Sequence, residues 1–303
     1  MSCRYQLIFI VVFVSFLLIG CKERSNTEKQ LLQAEALIME KPDSSLVILE
    51  NIDTSLLEKD KDKALYGLLL TMAQDKNWRD PTNDSIINFA VDYFTEKGEN
   101  KYKILSNYYK GIVEYNNKSY TQALKSYFKA KELAEKEKDY FYAGMACRGI
   151  SDIFLYTASK GDELTYAQME YDNFKKSGKQ PFIDYALLDL VRANHNNGNI
   201  DETLTLADEV IKAFKFNGDS NLYYGALRLK GSILNDKLNN FQEAEFIYEA
   251  LCQSRYASIV DSLRLGLNYI DLDKKDRANE IISNIGNNFI SSIFFIKINV
   301  IQS

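Results

Sequence analysis

Residues 111–130 read GIVEYNNKSYTQALKSYFKA, and this stretch decides the fold. Gly111 is followed by Tyr120, Ala123, Tyr127 and Ala130, with the polar break Asn116-Asn117-Lys118-Ser119 between them. On each side of the break, small and apolar residues recur three and four apart, which sets one stripe on one face of a helix. A small residue in the first helix, in fixed register with one in the second, lets two antiparallel helices pack closely. The register returns near the C-terminus. Leu265-Gly266 and Tyr269 precede Ala278 with the same spacing, Gly266 to Ala278, as Gly111 to Ala123. Gly231 and Ala244 repeat it with one more residue, because Asn239-Asn240 lengthens the turn. A one-residue slip costs little in a loop, whereas inside a helix it turns the face by about 100°. Gly149 is the expected glycine of a further unit, its second helix (Ala167, Tyr171, Phe174) delayed by an insertion over residues 157–162. Helical stretches are expected from 28–40 and 43–51 through 101–116 and 119–136 to 258–272 and 275–284. Breaks such as Lys41-Pro42-Asp43, Asn197-Gly198-Asn199 and Asn217-Gly218-Asp219 separate them. Period-two alternation is lacking, so no sheet is expected.

The pattern resembles tetratricopeptide repeats, helix pairs that recur about every 34 residues. That resemblance implies an all-α, right-handed solenoid of antiparallel helix pairs, a fold that displays surface to partners. The array is expected over residues 21–285, clearest from about 101 on, with an irregular or capping tail over 286–303. Pro42-Asp43-Ser44-Ser45-Leu46, Asp75-Lys76-Asn77 and Asp84-Ser85-Ile86-Ile87 resemble the opening of Bacteroidetes-type tetratricopeptide lipoproteins. Many longer members of that family continue into a membrane helix and a cytoplasmic half. Here the chain ends at Ser303, after an isoleucine-rich stretch outside the repeat pattern.

The N-terminus is read apart from the fold. Arg4 and the apolar run Leu7–Ile19 fit a secretory signal, the run being short for a bilayer span. Leu18-Ile19-Gly20-Cys21 resembles the bacterial lipobox, which implies removal of residues 1–20 and acylation of Cys21. The chain would then sit in the cell envelope as a membrane-anchored lipoprotein, facing either the periplasm or the surface. Of the other cysteines, Cys147 and Cys252 lie in non-neighbouring units and are expected to be free. Cleavage removes one charged residue, Arg4, and leaves the chain one unit more negative than the whole sequence at −5. That balance argues against a nucleic-acid partner.

The residue inventory excludes much chemistry. His195 is the one histidine, so no scheme or metal site needing two imidazoles can be built. No phosphate-cradling glycine loop, nucleophile elbow or cysteine–histidine metal spacing occurs. Accordingly no catalytic residue, metal or cofactor is assigned. The 20 tyrosines and 17 phenylalanines are explained as inter-helix filling, with Tyr120, Tyr127, Phe128, Phe246 and Tyr248 as examples. The packing positions are Gly111, Tyr120, Ala123, Tyr127, Ala130, Gly149, Gly231, Ala244, Gly266, Tyr269 and Ala278.

The tetratricopeptide resemblance also implies where a ligand would lie. The lining positions are three before the glycine, and one, four and five after it. They give Tyr108, Ile112, Tyr115 and Asn116 in one unit, Ala146, Ile150, Ile153 and Phe154 in the next, Leu188 at the head of the third, and Leu263, Leu267, Ile270 and Asp271 in the last. Between these, Arg192, His195, Asn196, Arg228, Ser232, Asn235 and Asp236 are polar where a buried face would be apolar. They make the groove candidate. The function expected is a lipid-anchored, extracytoplasmic scaffold or sensor ectodomain that binds a protein or peptide partner. The alternative is a glycan- or nutrient-binding lipoprotein of an outer-membrane uptake system.

Overall fold

The structure, a computed structural model, describes residues 26–217 and 220–285. Among the described residues there are fourteen α-helices, one 3-10 turn and no strand. The lipobox and Cys21, and the tail from residue 286, lie outside them. None of the described helices is long and apolar enough to cross a membrane.

The chain divides into two compact units, Met1–Leu133 and Ala134–Ser303. The first holds α1 (Asn26–Leu37), α2 (Pro42–Glu50), α3 (Asp60–Lys76), α4 (Asp84–Lys97), α5 (Asn100–Asn116) and most of α6 (Tyr120–Glu137), which runs through the boundary. Its core is aliphatic and aromatic, with Leu31, Leu49, Leu68, Leu69, Ile87, Phe94 and Ile104 fully buried. Ser45 ties α2 to α1 by donating to the Ala34 carbonyl at 2.9 Å.

The second unit continues through α7 (Tyr140–Tyr156), α8 (Lys160–Ser177), α9 (Gln180–Asn197), α10 (Ile200–Asn217) and α11 (Ser220–Asp236). It ends with α12 (Phe241–Gln253), α13 (Ile259–Asp271) and α14 (Lys275–Ile285). Helix starts follow from local chemistry. Asn83, Asp139, Asn240 and Ser258 each accept a backbone N–H of the first turn, and Ser258 with Asp261 forms a full capping box. Pro42 and Pro181 occupy first-turn positions, where a missing N–H costs nothing.

Helix ends are as regular. A left-handed residue stands at Lys118, Lys138, Ala158, Gly178 and Gly198, twenty residues apart each time. At Ala158 the closure is complete: Ala158 N donates to the Leu155 carbonyl at 3.2 Å, and Ser159 N to the Phe154 carbonyl at 2.9 Å. One helix and its turn thus take twenty residues, and the first helices of successive pairs start at Asn100, Tyr140, Gln180 and Ser220. The period is therefore 40 residues and not 34, because helices of 17 or 18 residues are joined by short turns.

The longer period corrects one unit. Forty residues beyond Gly111 stands Ser151, buried, whose hydroxyl donates to the Glu163 carbonyl at 3.2 Å. Forty beyond Ala123 stands Glu163, also buried. Gly149 is half-buried and off this register, and α8 begins at Lys160, so no insertion delays it. Val191 and Thr203 hold the same two positions in the next pair, both fully buried, before Gly231 and Ala244 restore the glycine–alanine form.

At the retained positions, glycine permits close approach. A Cβ on Gly111 would come within 2.5 Å of the Tyr127 ring, and one on Gly231 within 3.0 Å of the Tyr248 ring. Ala123, Tyr127, Ala130, Ala244, Tyr269 and Ala278 are all buried, as packing positions require. The filling role fails for two aromatics. Phe246 is 72% exposed and Phe128 38%, because both fall on the outward side of their helices. Cys147 is buried and Cys252 half-buried, and no disulfide joins them.

Candidate functional site

The groove candidates divide by unit. In the first unit, Tyr108 is buried, its ring 5.0 Å from Tyr109 and 5.8 Å from Tyr127, so it is core and not lining. Tyr115 lies against Tyr120 at 5.6 Å, and Asn116 donates to the Pro81 carbonyl at 3.0 Å, which occupies both in holding the fold.

The second unit builds a pocket. In α9, Ala186, Leu187, Leu190, Val191, Ala193 and Asn194 turn inward, which leaves Leu188 and Arg192 on one outer stripe. Gly225, Arg228, Leu229 and Ser232 form the matching stripe of α11, and Val260, Asp261 and Arg264 that of α13. Together with Tyr248 of α12, these residues line an open pocket of about 380 Å³. Gly225 matters because it presents no side chain here, and a Cβ added to it would meet only Leu188 Cδ2, at 3.5 Å. From α13 it is Val260, Asp261 and Arg264 that line the pocket, and not Leu263 or Leu267.

Every guanidinium at this pocket is matched. Arg228 forks onto Asp261 through two bonds of 2.8 Å, and its Nη2 also donates to the Tyr256 carbonyl at 2.7 Å. Arg264 pairs with Asp236 at 2.6 Å. Arg192 pairs with Asp189 at 3.0 Å and reaches Asp152 at 3.8 Å. Burial pushes the carboxyls of Asp261 and Asp236 up, but their hydrogen bonds outweigh it and hold both below the usual range. For Asp261 these come from Arg228 and Ser258; for Asp236, from Asn235, Arg264 and Ser232.

Three of the polar candidates, Ser232, Asn235 and Asp236, form one network, and Asn196 and His195 stand apart from it. Ser232 and Asn235 donate to Asp236 at 3.1 and 3.0 Å, and Asn268 donates to Asn235 at 2.8 Å. Asn196 donates to both oxygens of Glu163 at 3.0 and 3.2 Å. Burial, then Lys237, pushes the His195 imidazole below its ordinary range, with Asp236 opposing, and its Nδ1 is buried without a partner. Two further orphans lie on pocket residues: Arg192 Nε and the Tyr248 hydroxyl. Burial pushes the Tyr248 phenol up to about 12, so it is present as O–H.

Sequence reading missed a second charged cluster. Arg148 donates to Glu170 at 2.8 Å and to Asp189 at 3.3 Å, with Glu170 only 1% exposed. Burial holds the Glu170 carboxyl above its ordinary range, against the pull of Arg148. The signal existed: Arg148 stands three residues before Ser151, as Arg228 stands three before Gly231. Among the described residues, no group of three or more histidine, cysteine, aspartate or glutamate side chains could hold a metal ion.

No protein-family model and no curated protein matches the chain. Solved structures do. A signal-transduction ATPase with numerous domains and a tetratricopeptide repeat sensor, from Pyrococcus horikoshii, superposes with a TM-score of 0.70 at 14% identity. The match covers 86% of this chain and 41% of that one, so this chain spans less than half that protein's length. The apo form of the quorum sensor NprR from B. thuringiensis gives 0.63 at 18% identity, covering 91% and 80%. NprR in complex with its cognate peptide NprX gives 0.54 at 17%, covering 91% and 82%. The chain therefore has the all-α, tetratricopeptide-like solenoid fold of antiparallel helix pairs.

Proposed function

We propose that this chain binds a peptide, or an extended segment of a protein, in the pocket of α9, α11 and α13. The observation that carries the reading is the pocket itself: three successive first helices contribute to one cavity, and its charged walls are fixed by ion pairs before any ligand arrives. Preorganised walls reduce the ordering cost of binding. The likeness to NprR, solved with a cognate peptide, supports this reading.

The same proposal places the protein outside the cytoplasm on an N-terminal lipid, as a scaffold or sensor ectodomain without catalytic activity. The support is Leu18-Ile19-Gly20-Cys21 directly after an apolar run. A thioether-linked diacylglycerol with a further acyl chain gives durable anchoring, since each buried CH₂ contributes about 0.8 kcal/mol.

Gly225→Leu tests the pocket without threatening the fold, because the first added carbon has room and leucine favours a helix more than glycine does. Wild type and Gly225→Leu, immobilised in parallel, are exposed to envelope proteins and peptides solubilised from the source cells. A partner retained by the wild type and lost from the variant supports the reading. Equal retention by both places binding elsewhere and overturns it.

A further inference from the structure

The pocket of α9, α11 and α13 already satisfies its own charges, and this decides what can enter it. Arg192, Arg228 and Arg264 each hold a carboxylate at 3.0 Å or less. An anionic ligand would have to compete with those partners. Taking Arg228 would strip Asp261, 2% exposed, of the fork that neutralises it, a costly exchange in a desolvated site. What the internal pairs leave over is two single donors, Arg192 Nε–H, whose guanidinium charge Asp189 and Asp152 already offset, and the Tyr248 hydroxyl, both buried without a partner. Tyr248 is 1% exposed, and its ring edge passes Gly231 on α11, where a Cβ would come within 3.0 Å of Cε1 and 3.3 Å of Cζ. The glycine thus lets the phenol ring lie close against α11, and Tyr248 is one of the residues that line the pocket. The apolar part of the lining is Leu188, Leu229 and Val260, and Gly225 leaves room for a Cβ in ordinary contact with Leu188.

Resting on the peptide-binding reading, we propose that the pocket takes a neutral, apolar residue of an extended peptide, whose backbone carbonyl oxygens accept from Arg192 Nε–H and Tyr248 O–H. The volume, about 380 Å³, lies at the low end of small-ligand pockets and suits one or two residues. Buried donors left unpaired in the free chain gain most when an acceptor is brought to them in a dry site. The peptide's specificity here comes from apolar shape and backbone, and acidic side chains are disfavoured.

The test uses the full mature chain. Random heptapeptides displayed on phage are selected on it, and the recovered sequences are synthesised with acetylated N-termini and amidated C-termini. The expected binders share an apolar position without flanking acids. Their Kd should change less than about twofold between about 0.05 and 0.5 M NaCl, since no exposed ion pair forms. Tyr248→Phe should weaken them roughly tenfold, the effect of one lost buried hydrogen bond, without loosening the free protein. Arg192→Lys, which keeps the charge but removes the Nε–H, should weaken them similarly. It also identifies the Arg192 Nε–H resonance, which should shift when a capped peptide binds. Acidic binders whose affinity collapses with salt, or binders indifferent to Tyr248→Phe, overturn this inference and leave peptide binding standing. Recovery of no peptide above the bare support counts against peptide binding itself.

Discussion

Alanine at Gly225 should raise the stability of the protein, whereas the same change at Gly231 or Gly111 should not, and the three together test where the helices touch. All three glycines lie inside helices, so each replacement gains about 1 kcal/mol of helix propensity. At Gly225 nothing opposes that gain, because the new Cβ meets only Leu188 Cδ2 at an ordinary 3.5 Å. The expected change is a stabilisation of about 0.5–1 kcal/mol. At Gly231 the Cβ lies 3.0 Å from Tyr248 Cε1 and 3.2 Å from Ile247 Cγ2, tight enough to cancel the gain and cost up to about 1 kcal/mol more. At Gly111 it lies 2.5 Å from Tyr127 Cε1 and 2.6 Å from Cδ1, so the ring must move. Tyr127 is buried with Tyr108 beside it, and overpacking of that kind costs about 1–3 kcal/mol. Stacked helix pairs lean on their neighbours and need not unfold as one, so global denaturation alone could blur the differences. Native-state hydrogen exchange resolves them. Protection should fall around residues 101–130 in Gly111→Ala and rise around 220–236 in Gly225→Ala. Equal effects at all three sites would refute the assignment of Gly111 and Gly231 as close-approach positions. A loss of more than about 0.5 kcal/mol at Gly225 would refute the room for a Cβ on α11.

Ala158 carries φ 59 at an exposed helix end, so Ala158→Gly should raise the thermal midpoint, a gain of about 1 kcal/mol from relieved left-handed strain; a fall in the midpoint would contradict that turn geometry. Glu170 is held above its ordinary range mainly by burial, so the folded chain binds this proton more tightly than the unfolded chain. The resulting stability is full below the unfolded carboxylate value and is lost as pH rises through the folded one, at about 1.4 kcal/mol for each pH unit between them. Melting curves from pH 5 to 8 should therefore fall more steeply for wild type than for Glu170→Gln, and parallel curves would sink the claim. Cys21→Ala should release the protein from membranes into the soluble fraction, and retention of the variant with an intact signal would rule out the lipid anchor.

Helix existence was readable because each helix carries its own evidence. The apolar stripe of α5, the Asn-Gly-Asn break after α9 and the capping box of α13 are all local features. The repeat period was harder, since it rests on matching distant positions. Gly149 lies close to where Ser151 belongs, and a glycine two residues away captured the register. The buried serine and glutamate that hold that pair, Ser151 and Glu163, look like surface residues in isolation. They are tolerated because each has a polar partner inside: Ser151 on the Glu163 carbonyl, and the Glu163 side chain on Asn196.

The site was half readable for the same reason. Arg192, Arg228 and Ser232 were found because they are polar at positions where neighbours are apolar, a property of one helix alone. Whether those charges are free or matched depends on the next helix pair. Asp152 and Arg192 stand forty residues apart, Arg148 and Asp189 forty-one, and Arg228 and Asp261 thirty-three. A period of 34 brings only the last of these near register; a period of 40 brings the first two. That difference changes the chemistry inferred. Unmatched, three arginines in a groove would point to an anionic ligand. Matched to Asp152 and Asp189, Asp261 and Asp236, they are walls, and the ligand is selected by the few atoms the pairing leaves over, Arg192 Nε–H and Tyr248 O–H above all.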